Sequence, residues 1–285
     1  KTKDEGPKTK DEIRHSSFVL RHPSFVIRRS SFQKDDSLTT QHTSLRIGFV
    51  PIGRPTFDTT LAAAVTGQAR TALQAAGCQL VGPEGLVMDA AAAQAAIDIL
   101  SDQPLDLLLA FQASFADSSV VVNLAQAVDA PLFLWAVPEE RTGGRLRLNS
   151  FCGINLAGHG LTRAGLRYEW AYAQPDDPAA LHKLLTCARA GRVKRLLRAA
   201  RIGRIGDHPA GFDPCSYDGE AIAARFGSQI VRQELAEVFA GVQKAAPDAV
   251  AAALDGLNGR VAGLDALEQR ALRGTIGAYL TLKEL

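Results

Sequence analysis

The sequence predicts an α/β protein: two consecutive doubly wound parallel-sheet domains, the second incomplete, preceded by a repetitive leader. Three observations carry that prediction. Short apolar runs without polar alternation recur along the body of the chain. Each is followed by a helical stretch, several of them opened by Asp. The pattern ends inside a helix, at Leu282–Leu285. Apolar strands alternating with helices indicate a parallel sheet covered on both faces, a Rossmann-like arrangement.

Residues 1–44 are a different kind of sequence. Lys1–Pro7 (KTKDEGP) is echoed by Lys8–Arg14 (KTKDEIR), and His15–Arg21, His22–Arg28 and Arg29–Asp35 form a second seven-residue series. Pro7 and Pro23 interrupt any coiled-coil seam. Arg21 and His22 split the only apolar stretch, which excludes a signal peptide, and Asp4, Glu5, Asp11 and Glu12 argue against a transit peptide. The composition predicts a disordered leader without function, read through from tandem repeats. A short targeting or docking arm is the other reading.

The first domain is expected over 45–150. Leu45–Pro51 (LRIGFVP) reads as a buried strand ending in the Pro51-Ile52-Gly53 loop. Asp58 caps a helix that runs through Ala76 and stops at Gly77. Cys78–Val81 is a second strand, and Asp89–Leu100 is an Ala-rich helix. Asp106–Phe111 is the third and most apolar strand. Asp117 or Ser118 opens a helix to Val128, and Pro131–Val137 (PLFLWAV) is the fourth strand.

A polar, hairpin-like stretch around Gly143-Gly144 then leads to a second unit, over 151–285. Its elements are a helix over Asn155–Gly165, a strand over Leu166–Tyr172, a helix over Asp177–Ala190 and a strand over Ala200–Ile205. A long Gly/Pro loop, Gly206–Asp218, precedes a helix over Glu220–Phe226 and a short strand over Gln229–Val231. Helices over Glu234–Lys244, Asp248–Leu257 and Leu264–Leu285 follow. A doubly wound domain normally returns with another strand, so this unit reads as truncated.

Composition narrows the classes of function. The 285 residues are 46% hydrophobic and 22% charged, close to a globular average. The net charge of +2 sits in the leader, which holds nine of the 32 basic and six of the 30 acidic residues. The body keeps 23 basic and 24 acidic residues, with no excess to neutralise phosphates, so nucleic acid is not expected as a partner. Cys78, Cys152, Cys187 and Cys215 are far apart and form no C-x-x-C pair, which suits free thiols in a reducing cytoplasm. No apolar run approaches the roughly 20 residues of a membrane span.

Motifs are sparse. No Gly-x-Gly-x-x-Gly follows the first strand, and neither a P-loop nor a Gly-x-Ser-x-Gly elbow occurs. The loop 206–218 carries the densest set of reactive side chains. Asp207, His208 and Asp213 follow a strand end, where open sheets place ligands, and suit metal or sugar binding. The same residues also suit turns and a helix cap. Gln112 follows the third strand and faces the same kind of carboxyl-end crevice, while Phe57 follows the first. Trp135, inside an apolar run, reads as core. Glu139-Glu140 reads as a solvated turn.

Three stretches resemble the fucose/arabinose isomerase-like family. They are Arg46–Pro51 with Arg54–Asp58, then Leu146–Gly153 with the following helix, and then Arg201–Gly206 with Gly211-Phe212-Asp213 and Phe226-Gly227. The resemblance covers about 240 residues and corresponds to the family's first domain and most of its second. It implies aldose–ketose interconversion with manganese, in homo-oligomers. It also implies that the metal ligands and catalytic residues lie beyond the portion matched, so no catalytic residue is assigned and this chain alone is expected to be inactive. The family's first domain contributes a wall of the sugar pocket, for which Phe57, Gln112 and Asn149 are the candidates by topology. The alternative is a non-catalytic, two-lobed sugar-binding or regulatory module.

Overall fold

The computed structural model describes residues 44–284. The leader therefore lies almost wholly outside the described residues, as does Leu285.

Among the described residues seven strands alternate with helices as far as β7, and the last three of the nine α-helices follow in succession. The first sheet contains β1 (Leu45–Ile52), β2 (Cys78–Val81), β3 (Leu107–Gln112), β4 (Leu132–Ala136) and β5 (Tyr168–Tyr172). All pairings are parallel and the spatial order is β2-β1-β3-β4-β5. Helices α1 (Thr59–Ala75) and α5 (Pro178–Ala199) cover one face. Helices α2 (Ala90–Leu100), α3 (Ser118–Ala127) and α4 (Ser150–Arg163) cover the other.

Because side chains alternate along a strand, each strand feeds both cores. Ile47, Phe49, Leu109, Phe111, Phe133 and Trp135 pack against α1 and α5, whereas Val50, Ile52, Leu108, Ala110, Leu132 and Leu134 pack against α2–α4. The central strands are buried on both sides, and this is why their sequences are continuous apolar runs. Asp58, Asp89, Asp117 and Asp177 each cap a helix with a carboxylate bonded to a first-turn amide.

Strand β5 corrects the expectation that the strand over 166–172 belongs to a second unit beginning at residue 151. It pairs with β4 over Leu132↔Tyr168 to Ala136↔Tyr172 and closes the first sheet, so the polar 141–147 stretch is a loop leading into α4. Helix α4 starts at Ser150, not Asn155, and α5 continues to Ala199, well past Ala190.

The remaining described residues form a smaller α/β lobe. Strands β6 (Arg201–Ile205) and β7 (Gln229–Gln233) pair in parallel across α6 (Gly219–Phe226). Helices α7 (Leu235–Lys244), α8 (Pro247–Asp255) and α9 (Gln269–Glu284) follow. The lobe joins α5 through Ser228, whose hydroxyl donates to the Leu197 carbonyl at 2.7 Å. No helix among the described residues is long and apolar enough to cross a membrane.

Candidate functional site

Strand order reverses between β1 and β3, and open α/β sheets bind ligands outside the carboxyl ends of their strands at that point. Ile52 and Gln112 lie side by side as the last residues of these two strands. The Ala113 and Ser114 amides both donate to the Ile52 carbonyl, at 2.9 and 3.3 Å, and the Arg54 amide donates to Ser114 Oγ at 3.1 Å. The two exit loops are thus sewn together. Phe57 rests on Phe115 with ring centroids 5.6 Å apart, and Arg145 stacks on Phe57 at 5.5 Å.

The loop after β4 completes the rim. The Glu139 carboxylate accepts the backbone amides of Arg147, Leu148 and Asn149 at 2.7, 2.8 and 2.6 Å. Arg147 in turn reaches back to Asp58, donating from Nε and a terminal nitrogen at 2.9 and 2.6 Å. The Asp58 carboxyl is held below its usual range, chiefly by the Leu61 amide and then by Arg147. The Phe115 amide donates to the Leu148 carbonyl at 2.7 Å. Ser150 Oγ donates to the Gln112 carbonyl and accepts the Val137 amide at 3.1 Å.

Three loops from three adjacent strands therefore meet, and with them Phe57, Gln112 and Asn149. Asn149 has φ 51°, and no other non-glycine among the described residues has a positive φ. Such a conformation is a strain held by surrounding contacts, and it recurs at functional sites. Gln112 is completely buried, yet neither its Oε1 nor its Nε2 has a hydrogen-bond partner among the described residues. Nearly all buried polar groups are paired, so this orphaned amide is a feature to be explained. In front of α4 is a cavity of about 180 Å³, lined among others by Glu139, Arg141, Asn149, Phe151, Cys152 and Tyr172. Phe151 and Tyr172, both in its lining, pair with centroids 5.0 Å apart.

Asp207, His208 and Asp213 lie in the segment that follows β6 of the second sheet, away from the first sheet's strands, and are exposed. Asp207 forms ion pairs with Arg204 and with Arg232, the latter at 2.7 Å. Asp213 opens a short 3-10 turn, Asp213–Cys215, and Asp218 caps α6. Among the described residues, no three His, Cys, Asp or Glu side chains converge as a metal-binding group.

Sequence reasoning missed Glu139, which organises the site loop where a solvated turn was expected. A carboxylate that binds backbone amides from eight to ten residues away leaves no pattern in the sequence. Ser114 and Ser150 were equally silent, since each acts through one hydroxyl set by tertiary contact. Trp135 is core, as read, with its indole N–H donating to the Ala173 carbonyl at 3.0 Å.

A parallel sheet of order β2-β1-β3-β4-β5, covered by helices on both faces and with the unpartnered Gln112 amide at its carboxyl edge, defines the general class: a doubly wound, flavodoxin-like α/β protein. The chain belongs to the fucose/sulfoquinovose isomerase family, whose N-terminal domain matches residues 48–194, just over half of the sequence. It is 29% identical over 191 residues to a sulfoquinovose isomerase of Priestia aryabhattai, covering 67% of this chain and 43% of that protein. It is 28% identical over 196 residues to a sulfoquinovose isomerase of Alkalicoccus urumqiensis, covering 69% and 44%. A sulfoquinovose isomerase of Clostridium sp. (strain MSTE9) is 27% identical over 169 residues, covering 59% and 37%. The chain thus matches less than half the length of these curated relatives.

Proposed function

We propose that this chain supplies one wall of the sugar pocket and part of the oligomer interface of a cytoplasmic sugar ketol isomerase acting in carbohydrate metabolism. The single observation that carries this reading is the carboxyl-edge crevice, which brings Phe57, Gln112 and Asn149 onto the loops of adjacent strands. It is supported by family membership and by the sulfoquinovose isomerases among the relatives. An aromatic pair, Phe57 and Phe115, offers an apolar platform for a sugar ring. Amide and backbone groups around Gln112 offer hydroxyl partners.

In this reading the whole isomerase would hold a divalent cation, manganese, which would supply polarisation of neighbouring sugar oxygens for proton transfer between adjacent carbons. Among the described residues no three His, Cys, Asp or Glu side chains would hold this ion, and the part proposed for Phe57, Gln112 and Asn149 is to bind and orient the sugar. Asp207, His208 and Asp213 are secondary candidates for sugar contact, with Asp207 already engaged by two arginines.

The test is direct binding of an aldose to the full chain, followed by ligand-observed NMR. Gln112→Leu and Phe57→Ala are expected to weaken binding about tenfold or more, the scale of a lost buried hydrogen bond or stacking contact. Undiminished binding in both variants would refute the reading. Turnover assays on the purified chain with manganese are expected to show no isomerisation. Turnover abolished by Asp207→Ala or Asp213→Ala would move the catalytic centre to the 206–218 loop.

A further inference from the structure

Helix α5 leads from the first sheet into the smaller lobe, and the two sides of its last turns are held differently. At Gly191 a Cβ would stand 1.9 Å from the Asp106 carbonyl oxygen, and Arg192 and Arg195 pair with the fully buried Asp106 carboxylate at 3.2 and 2.8 Å. As far as Arg195 the helix is therefore fixed to the first sheet. Beyond it the partners belong to the lobe. The Ser228 hydroxyl donates to the Leu197 carbonyl at 2.7 Å, and the Gln229 amide donates to the Ala200 carbonyl at 3.0 Å. Gly227, with φ 77°, lies so close that a Cβ on it would stand 2.8 Å from Arg198 Cγ and 3.3 Å from Arg198 Cα. Ala200 alone separates α5 from β6.

Arg198 touches both parts. Its stem lies under Gly227 of the lobe, while its guanidinium pairs with Asp129, in the loop between α3 and β4 of the first sheet. The two side chains are 50% and 72% exposed, so this pair is screened by salt and is weak, unlike the buried pairs at Asp106. Beside it is a cavity of about 670 Å³, lined among others by Gln103, Asp129, Pro131, Lys194 and Arg198, which leaves the guanidinium room to swing away.

We infer that residues 197–200 are a hinge between the first sheet and the lobe, and that the Arg198–Asp129 ion pair is its latch. Hinges are a few residues at the ends of elements that absorb a change of φ and ψ, and lobes of one chain move against each other unless a large apolar interface holds them. With the pair formed, Arg198 is tied to both parts and the last turn of α5 is held. With the pair broken, the bonds to Leu197 and Ala200 remain, and these turn with the lobe. Rotation there changes the separation between the carboxyl-edge loops of the first sheet and the 206–218 loop after β6. The inference does not depend on what either loop binds.

The full chain carries an exposed cysteine on each side of the hinge, Cys152 on α4 and Cys215 after β6, whereas Cys78 is buried. With Cys187→Ser as background, a donor and an acceptor dye on Cys152 and Cys215 report the separation by single-molecule energy transfer, at a dilution where copies do not meet. At low salt the wild type is expected to give one narrow distribution. Asp129→Asn, an exposed change that leaves the core intact, is expected to broaden or shift it. Salt at about 0.5 M, where the screening length is only a few Å, is expected to do the same to the wild type and nothing further to Asp129→Asn. Arg198→Lys, which keeps the charge, is expected to retain the wild-type distribution and its salt response. A distribution that neither Asp129→Asn nor salt alters would overturn the hinge. A wild type already broad at low salt, or a salt response undiminished in Asp129→Asn, would overturn the latch.

Discussion

Asp58 performs two tasks with one carboxylate: Oδ1 caps α1 through the Leu61 amide, and Oδ2 holds Arg147 and with it the loop that ends at Asn149. Asp58→Ala is expected to destabilise the fold, as loss of an N-cap does, measured as a downward shift in urea midpoint. Its pKa is lowered by folding, first by the Leu61 amide and then by Arg147, so the stabilisation is fully present above the ordinary carboxylate range. It is lost as the pH falls through the lowered folded value. The gap between wild type and Asp58→Ala should therefore close in acid, and a gap that stays constant down to strongly acidic pH would contradict this assignment. Asp106 is the opposite case: fully buried, it accepts the Arg46 amide at 2.9 Å and pairs with Arg192 and Arg195 at 3.2 and 2.8 Å. Asp106→Ala strands two arginines at the amino edge of the sheet, and a loss on the order of 3 kcal/mol is expected in the same measurement.

Two glycines show why some elements were legible in the sequence and others were not. Gly191 reads locally as a helix terminator, and the predicted helix ended at Ala190. In the fold α5 passes straight through it, because a Cβ there would stand 1.9 Å from the Asp106 carbonyl oxygen. Gly153 likewise lies within the first turn of α4, crowded by Gln112 and Phe115. Close approach, invisible in one sequence, required both. Gly191→Ala is expected to cost more than about 2 kcal/mol, the overpacking range, whereas Gly67→Ala in α1, where the new methyl meets nothing within 4 Å, is expected to stabilise by about 0.5–1 kcal/mol. Thermal unfolding of the two variants separates these outcomes, and equal effects would contradict the packing account. Strands β1 to β4 were readable because burial on both faces makes them continuous apolar runs. Strand β5 is an edge strand with exposed Glu169, Trp170 and Tyr172, so its sequence carries no sign of which sheet it joins. Of the proposed site only the topology was legible: Gln112 ends β3 and Phe57 lies in the loop after β1, but the contacts that lock these loops come from Ser114, Glu139 and Ser150.

At the scale of the molecule, the two sheets are unequally protected. The first is covered on both faces by helices. Strands β6 and β7 form a parallel pair in which Ile202 and Ile205 are exposed, and Phe226, Leu235 and Phe239 on the adjoining helices are exposed as well. Parallel sheets are otherwise found buried on both faces, and apolar patches of this kind drive association. Light scattering on the purified chain is expected to show a species larger than a monomer. A monodisperse monomer at high concentration would instead favour the two-lobed binding-module reading.

The central claim is that the carboxyl edge of the first sheet receives a sugar. The measurement that tests it most directly is an amide-resolved NMR titration of the full chain with an aldose. The account predicts shifts concentrated at residues 53–58, 112–117 and 137–152, the three loops joined by Ser114, Glu139 and Ser150. Shifts concentrated instead at the amino edge, around residues 101–106 and 129–131, would contradict it.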